Sequence, residues 1–197
     1  MIAVRVDRPP AGCQDDAACI DASLADPARF AVLFDRHGRA VASYLAHRAP
    51  ASAVEDLVSE TFLAAFRSRD RYDLGQPDAR PWLLGVATNV LRHHWRAEGR
   101  RRALVERLRR WAPDCGDPPA AGADAASSWP DADRVRRALN RLDPGTRDAV
   151  MLLAVADLTY DEIARSLGVP VGTVRSRIFR GRRRLRELLK EDPPWTT

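Results

Sequence analysis

Apolar residues recur at three- and four-residue intervals along most of the chain, and no stretch alternates strictly, so the pattern predicts helices and no strand. Residues 1 to about 24 mix Pro, Gly, Asp and Ala and read as a mobile arm, with a short helix near Ala17–Leu24. The first strong helix starts at Asp26-Pro27, an aspartate that can cap free amides followed by a proline suited to the first helical position. Phe30, Leu33, Phe34, Val41, Tyr44 and Leu45 then form one stripe expected to be buried. Ser52-Ala53-Val54-Glu55 reads as a capping box opening the next helix. The apolar face of that helix is Val54, Leu57, Val58, Thr61, Phe62, Ala65 and Phe66, and its other face carries Glu55, Asp56 and Glu60. The loop SRDRYDLGQPDA follows, rich in charge and turn formers. A third helix begins near Pro81, buries Trp82, Leu83, Val86, Val90 and Leu91, turns basic from Arg92 onward, and can continue through Leu104–Trp111.

Residues 113–130 are dominated by Pro, Gly, Ala, Ser and Asp and cannot build a core. Beyond them Asp131–Leu142 is amphipathic, and Asp143-Pro144 starts a helix with Val150, Leu152 and Leu153 inside. Thr159-Tyr160-Asp161-Glu162 is a second capping box, its short helix broken by Gly168, and a last helix runs from about Gly172 to Lys190. The expected fold is all-α: an arm over 1–24, a helical domain over 25–102, a flexible linker over 103–130, a second helical domain over 131–192 and a tail over 193–197.

Charge and composition narrow the class. The formal net charge is +5, which suits a polyanionic partner without proving one. Among 32 basic residues only Lys190 is lysine, a bias that a GC-rich coding sequence would also produce. Guanidinium groups nevertheless fork onto phosphates and guanine edges better than ammonium groups do. Cys13, Cys19 and Cys115 are odd in number and irregularly spaced, which argues against a disulfide framework and fits a reducing cytoplasm. No apolar run reaches membrane-spanning length and the N-terminus lacks the apolar core of a secretion signal. The acidic residues form no clear metal-binding cluster and no activated nucleophile stands out, so no catalytic residue, metal or cofactor is expected.

The segment TYDEIARSLGVPVGTVRSRIFRGRRRLRELL carries the most chemistry. Ile163 and small Ala164 face inward, Leu167 plugs the corner, Gly168 supplies the turn, and Val169 and Val174 close the core between two helices. That spacing is a helix-turn-helix. Its second helix exposes Thr173, Arg175, Ser176, Arg177, Arg180 and then Arg182–Arg184. Such a row can read guanine edges in a major groove and hold phosphates.

This segment resembles the promoter-binding C-terminal domain of bacterial sigma factors of the extracytoplasmic-function (ECF) group. LDPGTRDAVML resembles the start of that domain, and VEDLVSETFLAAFR and RPWLLGVATNVLRHHWR resemble the two signature helices of the group's N-terminal domain. The resemblance covers nearly all of residues 25–190 and implies binding to core RNA polymerase and to promoter DNA. It makes 25–102 a region 2-like domain for core polymerase and the minus-ten element, and 131–192 a region 4-like domain for the minus-thirty-five element. In the family the first signature helix binds a coiled coil of the largest polymerase subunit, which implies Glu55, Asp56, Leu57 and Glu60 as the polymerase contact. The second helix and the loop before it capture melted minus-ten DNA with one base flipped out. Asn89 matches the recognition asparagine, and Arg92, Arg96 and Arg100 would hold phosphates. Trp95 would stack a base or simply pack. In the second domain, Thr173, Arg175, Ser176, Arg177, Arg180 and Arg183 would meet duplex minus-thirty-five DNA. An anti-sigma protein is a further candidate partner. His93-His94 departs from the polar or acidic residues many relatives carry after the asparagine, and no ligand pair sits at zinc-site spacing with them.

Three other classes remain open on sequence alone, one of them a structural scaffold of paired helices, which would show no sequence preference on DNA. A ligand-sensing helix-turn-helix regulator with an N-terminal interaction domain would not bind core polymerase stably. A nucleic-acid enzyme would show metal-dependent cleavage.

Overall fold

The computed structural model describes residues 14–111 and 130–191. The described residues contain helices and no strand. The expected linker over 113–130 and two of the cysteines, Cys13 and Cys115, lie outside them, apart from Pro130. The chain divides into two compact units, Met1–Ala87 and Thr88–Thr197.

The first unit holds α1 (Asp16–Ala25), a 3-10 turn at Pro27–Phe30, α2 (Ala31–Ala46), α3 (Ala51–Arg67), a second 3-10 turn at Arg69–Arg71, and the start of α4 (Arg80–Trp111). Helix α2 buries Leu33, Val41, Tyr44 and Leu45, and α3 buries Leu57, Val58, Thr61, Phe62 and Ala65. The buried Thr61 hydroxyl donates back to the Leu57 carbonyl at 2.7 Å, so the position carries no unmet polar group. From α4, Leu83, Leu84 and Ala87 complete this core. Each buried leucine contributes about 1.5–3 kcal/mol.

Three expectations need correction here. The short helix expected near Ala17–Leu24 is present as α1, but it is not part of a mobile arm, because it is capped by the Asp15 side chain and buries Cys19 and Ile20 completely. The stripe on α2 is narrower than its sequence pattern: Phe34 is half exposed and touches the core only edge-on, against Phe62 with ring centroids 4.9 Å apart. The box at Ser52 does not form, since Pro50 turns the chain into α3 before it and Ser52 falls inside the first turn without a side-chain cap. Asp26 does cap, but the turn it opens is the 3-10 turn ahead of α2, where it accepts from the Ala28 amide at 3.3 Å.

The second unit holds the rest of α4 with α5 (Pro130–Asn140), α6 (Pro144–Ala154), α7 (Tyr160–Leu167) and α8 (Val171–Glu191). Residues 103–111, counted with the linker in the domain division, continue α4 as helix, as the pattern over Leu104–Trp111 allowed. Asp143 caps α6 by accepting from the Thr146 amide at 3.0 Å, with Pro144 in the first turn. Leu153 on α6 is only half-buried. Helix α7 opens on a complete capping box, in which Thr159 and Glu162 each bond the other's backbone amide. It ends at Gly168, where φ is +62°, a left-handed turn that costs glycine little. Ile163, Ala164, Val174 and Ile178 are buried between α7 and α8, while Leu167 and Val169 are half-buried at the corner. The two helices are a helix-turn-helix, built as the sequence indicated.

Candidate nucleic-acid interface

Positions 89, 92, 96 and 100 follow each other at three- and four-residue steps, so they share one face of α4. Asn89, Arg96 and Arg100 are exposed on it. Arg92 is half-buried and already engaged. Its guanidinium reaches the buried Asp148 carboxylate on α6 at 2.6 and 2.7 Å and the Asn89 side-chain oxygen at 3.3 Å. A phosphate would have to compete with that carboxylate for the same nitrogens. Trp95 is 38% exposed, with its ring edge-on to His94 at 5.3 Å. Trp82, expected in the core, is half-buried and meets Tyr72 edge-on at 5.0 Å.

The loop before α4 is tied at both ends. The buried Tyr72 hydroxyl donates to the Gln76 carbonyl at 2.6 Å, and Asp73 accepts from the Gly75 amide at 3.0 Å. Burial, with Asp16 and Asp78 nearby, pushes the Tyr72 phenol up to about 12, so it stays a donor. Asp16 of α1 accepts from the Ala79 amide at 2.9 Å, from Arg36 at 2.8 Å and from His37 at 2.6 Å. Burial pushes the Asp16 carboxyl up, but those bonds outweigh it and hold the group well below the usual carboxylate range. Sequence reasoning missed this cluster, because its members stand 20, 21 and 63 positions from Asp16. Asp16, His37 and Asp78 could each turn one atom toward a metal ion, but both Asp16 oxygens are already accepting.

On α8, Arg175, Ser176, Arg180 and Arg183 are exposed and Thr173 is half-buried at the first turn. Arg177 does not extend outward. Its guanidinium carbon lies 3.0 Å from where a Cβ on Gly145 would stand. Burial pushes the Asp143 carboxyl up, but hydrogen bonds from Thr146 and the nearby Arg180 and Arg177 hold it below the usual range. Arg177 therefore braces the start of α6. Arg183 has Glu187 at 3.9 Å and Arg184 has the same carboxylate at 3.1 Å. Phe179 is 67% exposed and, with Tyr160, Ile178, Arg175, Arg182 and Arg186, lines a groove of about 370 Å³. The sequence offered one signal for it, an aromatic ring set among arginines.

Glu55, Asp56 and Glu60 are exposed on α3, as their pattern indicated. Leu57 is 2% exposed and packs in the chain's own core, so it cannot double as an open contact residue. The sequence pattern had allowed it both roles. No helix among the described residues is long and apolar enough to cross a membrane.

The family model for Sigma-70 region 2 matches residues 33–101, and that for Sigma-70, region 4 matches residues 132–185. The chain is 37% identical over 164 residues to the RNA polymerase sigma factor CarQ of Myxococcus xanthus, covering 82% of this chain and 90% of that one. It is 40% identical over 137 residues to the ECF RNA polymerase sigma factor SigE of Mycolicibacterium smegmatis, spanning 68% of this chain and only 51% of SigE. A solved structure of CnrH in complex with the cytosolic domain of CnrY superimposes with a TM-score of 0.64 at 29% identity, over 90% of this chain and 99% of CnrH. With a helix-turn-helix, two arginine-bearing helices and an acidic helix in the expected order, the chain belongs to the sigma-70 family of RNA polymerase sigma factors, in its ECF group, and is a promoter-recognising factor that directs transcription initiation.

Proposed function

We propose that this sigma factor divides promoter recognition between two helices. Helix α8 reads duplex minus-thirty-five DNA through Thr173, Arg175, Ser176, Arg180 and Arg183, with Arg177 setting the helix rather than leading the contact. Helix α4, with the loop before it, receives melted minus-ten DNA through Asn89, Trp95, Arg96 and Arg100. Arg92 joins them once it releases Asp148. Residues 25–102, with α1 added to them, and residues 131–192 are the two working domains, connected through 103–130.

The observation that carries this reading is the contrast between the two basic faces. The first turns of α8 follow a rigid corner at Gly168 and carry polar and arginine side chains outward, which suits intact base-pair edges. Exposed Asn89 and Trp95 offer an amide and a ring face, which suit an extruded base. Glu55, Asp56 and Glu60 form the contact with core polymerase, an acidic patch in a basic chain that suits a basic protein partner. The factor acts by binding alone, without cofactor or catalysis of its own, in the cytoplasm with the polymerase. A bound anti-sigma protein is its expected regulator; the related CnrH, solved with the cytosolic domain of CnrY, supports a protein partner.

The test is run-off transcription with purified core polymerase on genomic fragments, with start sites mapped. Accurate starts at a shared two-element sequence support the reading. Binding to such fragments without core-dependent initiation overturns it.

A further inference from the structure

Helix α1 lies ahead of the residues matched by the region 2 family model, which begin at 33, yet it holds the loop that leads into α4. The Asp16 side chain is 7% exposed and accepts from three donors on two other segments. Arg36 and His37 come from α2, and the Ala79 amide comes from the last residue before α4. The main chain adds a fourth bond, from the Asp16 amide to the Pro77 carbonyl at 3.1 Å. One residue thus grips the loop at Pro77 and Ala79 by backbone and side chain together.

At the other end the loop is held by Tyr72, through its bond to Gln76 and its edge contact with Trp82 on α4. Between these anchors the tip Asp73-Leu74-Gly75 is exposed, and Leu74 keeps 49% of its surface open. An apolar side chain held outward on a braced loop beside the start of α4 is a preorganised contact. Fixing the tip beforehand removes an ordering cost that a mobile loop would meet on binding.

We propose that Asp16 is a positioning residue for minus-ten recognition: it locks the 72–79 loop so that the exposed tip at Leu74 meets the strand that α4 receives. This deepens the proposed function and rests on its assignment of α4 and its loop to melted DNA. The Arg36 guanidinium sets positive charge against the Asp16 carboxylate and His37 bonds its other oxygen, which favours the ionised form that accepts from the Ala79 amide. An asparagine in its place keeps the shape but turns an amide toward either the guanidinium or the pair of His37 and the Ala79 N–H, so at least one donor loses its acceptor.

The experiment uses holoenzyme reconstituted from the full chain and core polymerase. Promoter templates are either fully duplex or pre-melted across the minus-ten element, the latter with each of the four bases in turn on the non-template strand. The variants are Asp16→Ala, Asp16→Asn and, in parallel, Asn89→Ala. Asp16→Ala is expected to bind core polymerase and duplex minus-thirty-five DNA within about twofold of the parent, since Asp16 is not among the residues proposed for either contact. It should slow opening of the duplex promoter by roughly tenfold, and it should flatten the preference among the four bases on the pre-melted template. A purely structural role would lower thermal stability and core binding together and leave base preference as in the parent. If Asp16→Ala does not fold, Asp16→Asn carries the same test.

A folded Asp16 variant with parental base preference overturns the proposal. If Asn89→Ala flattens the preference and the Asp16 variant does not, the lock is wrong while the assignment of α4 stands. If Asn89→Ala is silent and the Asp16 variant flattens it, the lock stands and the base contact belongs to the loop. If both are silent, α4 and its loop do not read the strand, and both ideas fall.

Discussion

Gly181 of α8 faces Val150 of α6 so closely that a Cβ on the glycine would stand 2.7 Å from the valine Cγ2, with the Thr146 Cγ2 at 2.9 Å. Both neighbours are β-branched and stiff about their first torsion, so neither can swing aside cheaply. Gly181→Ala should therefore destabilise the second domain by about 1–3 kcal/mol, despite alanine's better helix propensity. Urea unfolding checks this. In a Val150→Ala background the penalty should shrink, because the clash partner is gone.

Asp56→Arg with Glu60→Arg should weaken binding to core polymerase and leave helicity unchanged, since both positions are exposed. Leu57→Ala should behave oppositely. Its side chain is enclosed, so the change should cost about 2–5 kcal/mol of stability. Polymerase affinity should fall only as far as the fold is lost. Parental affinity in the double arginine variant would remove the α3 surface from the polymerase interface.

Arg175→Ala and Arg177→Ala separate reading from bracing. Arg175 is exposed, so its loss should weaken duplex binding by about 1–3 kcal/mol if it meets a base, with stability unchanged. Arg177 lies over Gly145 near Asp143, so its loss should lower the melting temperature as well as DNA affinity. Binding isotherms at several salt concentrations, set beside thermal melts, give both quantities. Equal melting temperatures for the two variants would return Arg177 to the open DNA face.

The carboxyl of Asp16 is held below its ordinary value in the folded chain, so its share of stability is present at neutral pH. It stays present down to the unfolded value of about 4 and is lost as pH falls toward the folded value. The stability gap between the parent and Asp16→Asn should be widest near pH 7 and close progressively below about pH 4. Urea melts at stepped pH measure it; a gap that widens on acidification would contradict the sign.

What could be read in advance was local. The corner at Gly168 and the box at Thr159 and Glu162 depend on residues within one or two turns of each other, so the sequence displays them directly. Helix α1 was harder. Its buried face is Ala17, Cys19, Ile20 and Ser23, mostly small side chains with little contrast, and its main tie is to residues far along the chain. Leu57, Phe34 and Arg177 show the same limit. Periodicity places a residue on a face, but which part of that face is covered depends on the neighbouring helix. The acidic and arginine-bearing positions were legible as types, while Arg92's partner, Asp148, stands 56 residues away.

The complete burial of Cys19 gives α1 a built-in clock. An enclosed thiol reacts with an alkylating reagent only during moments when its surroundings open, so its labelling rate under native conditions measures how often that opening occurs. With Cys13 and Cys115 replaced by serine, labelling would follow this one site. When opening and closing are fast relative to labelling, the rate divided by that of the unfolded chain is the population in which α1 has lifted away. A chain whose α1 opens no more readily than the whole domain unfolds would label no faster than global unfolding allows. A faster rate would reveal a detachable segment and give its free energy directly, with no denaturant present.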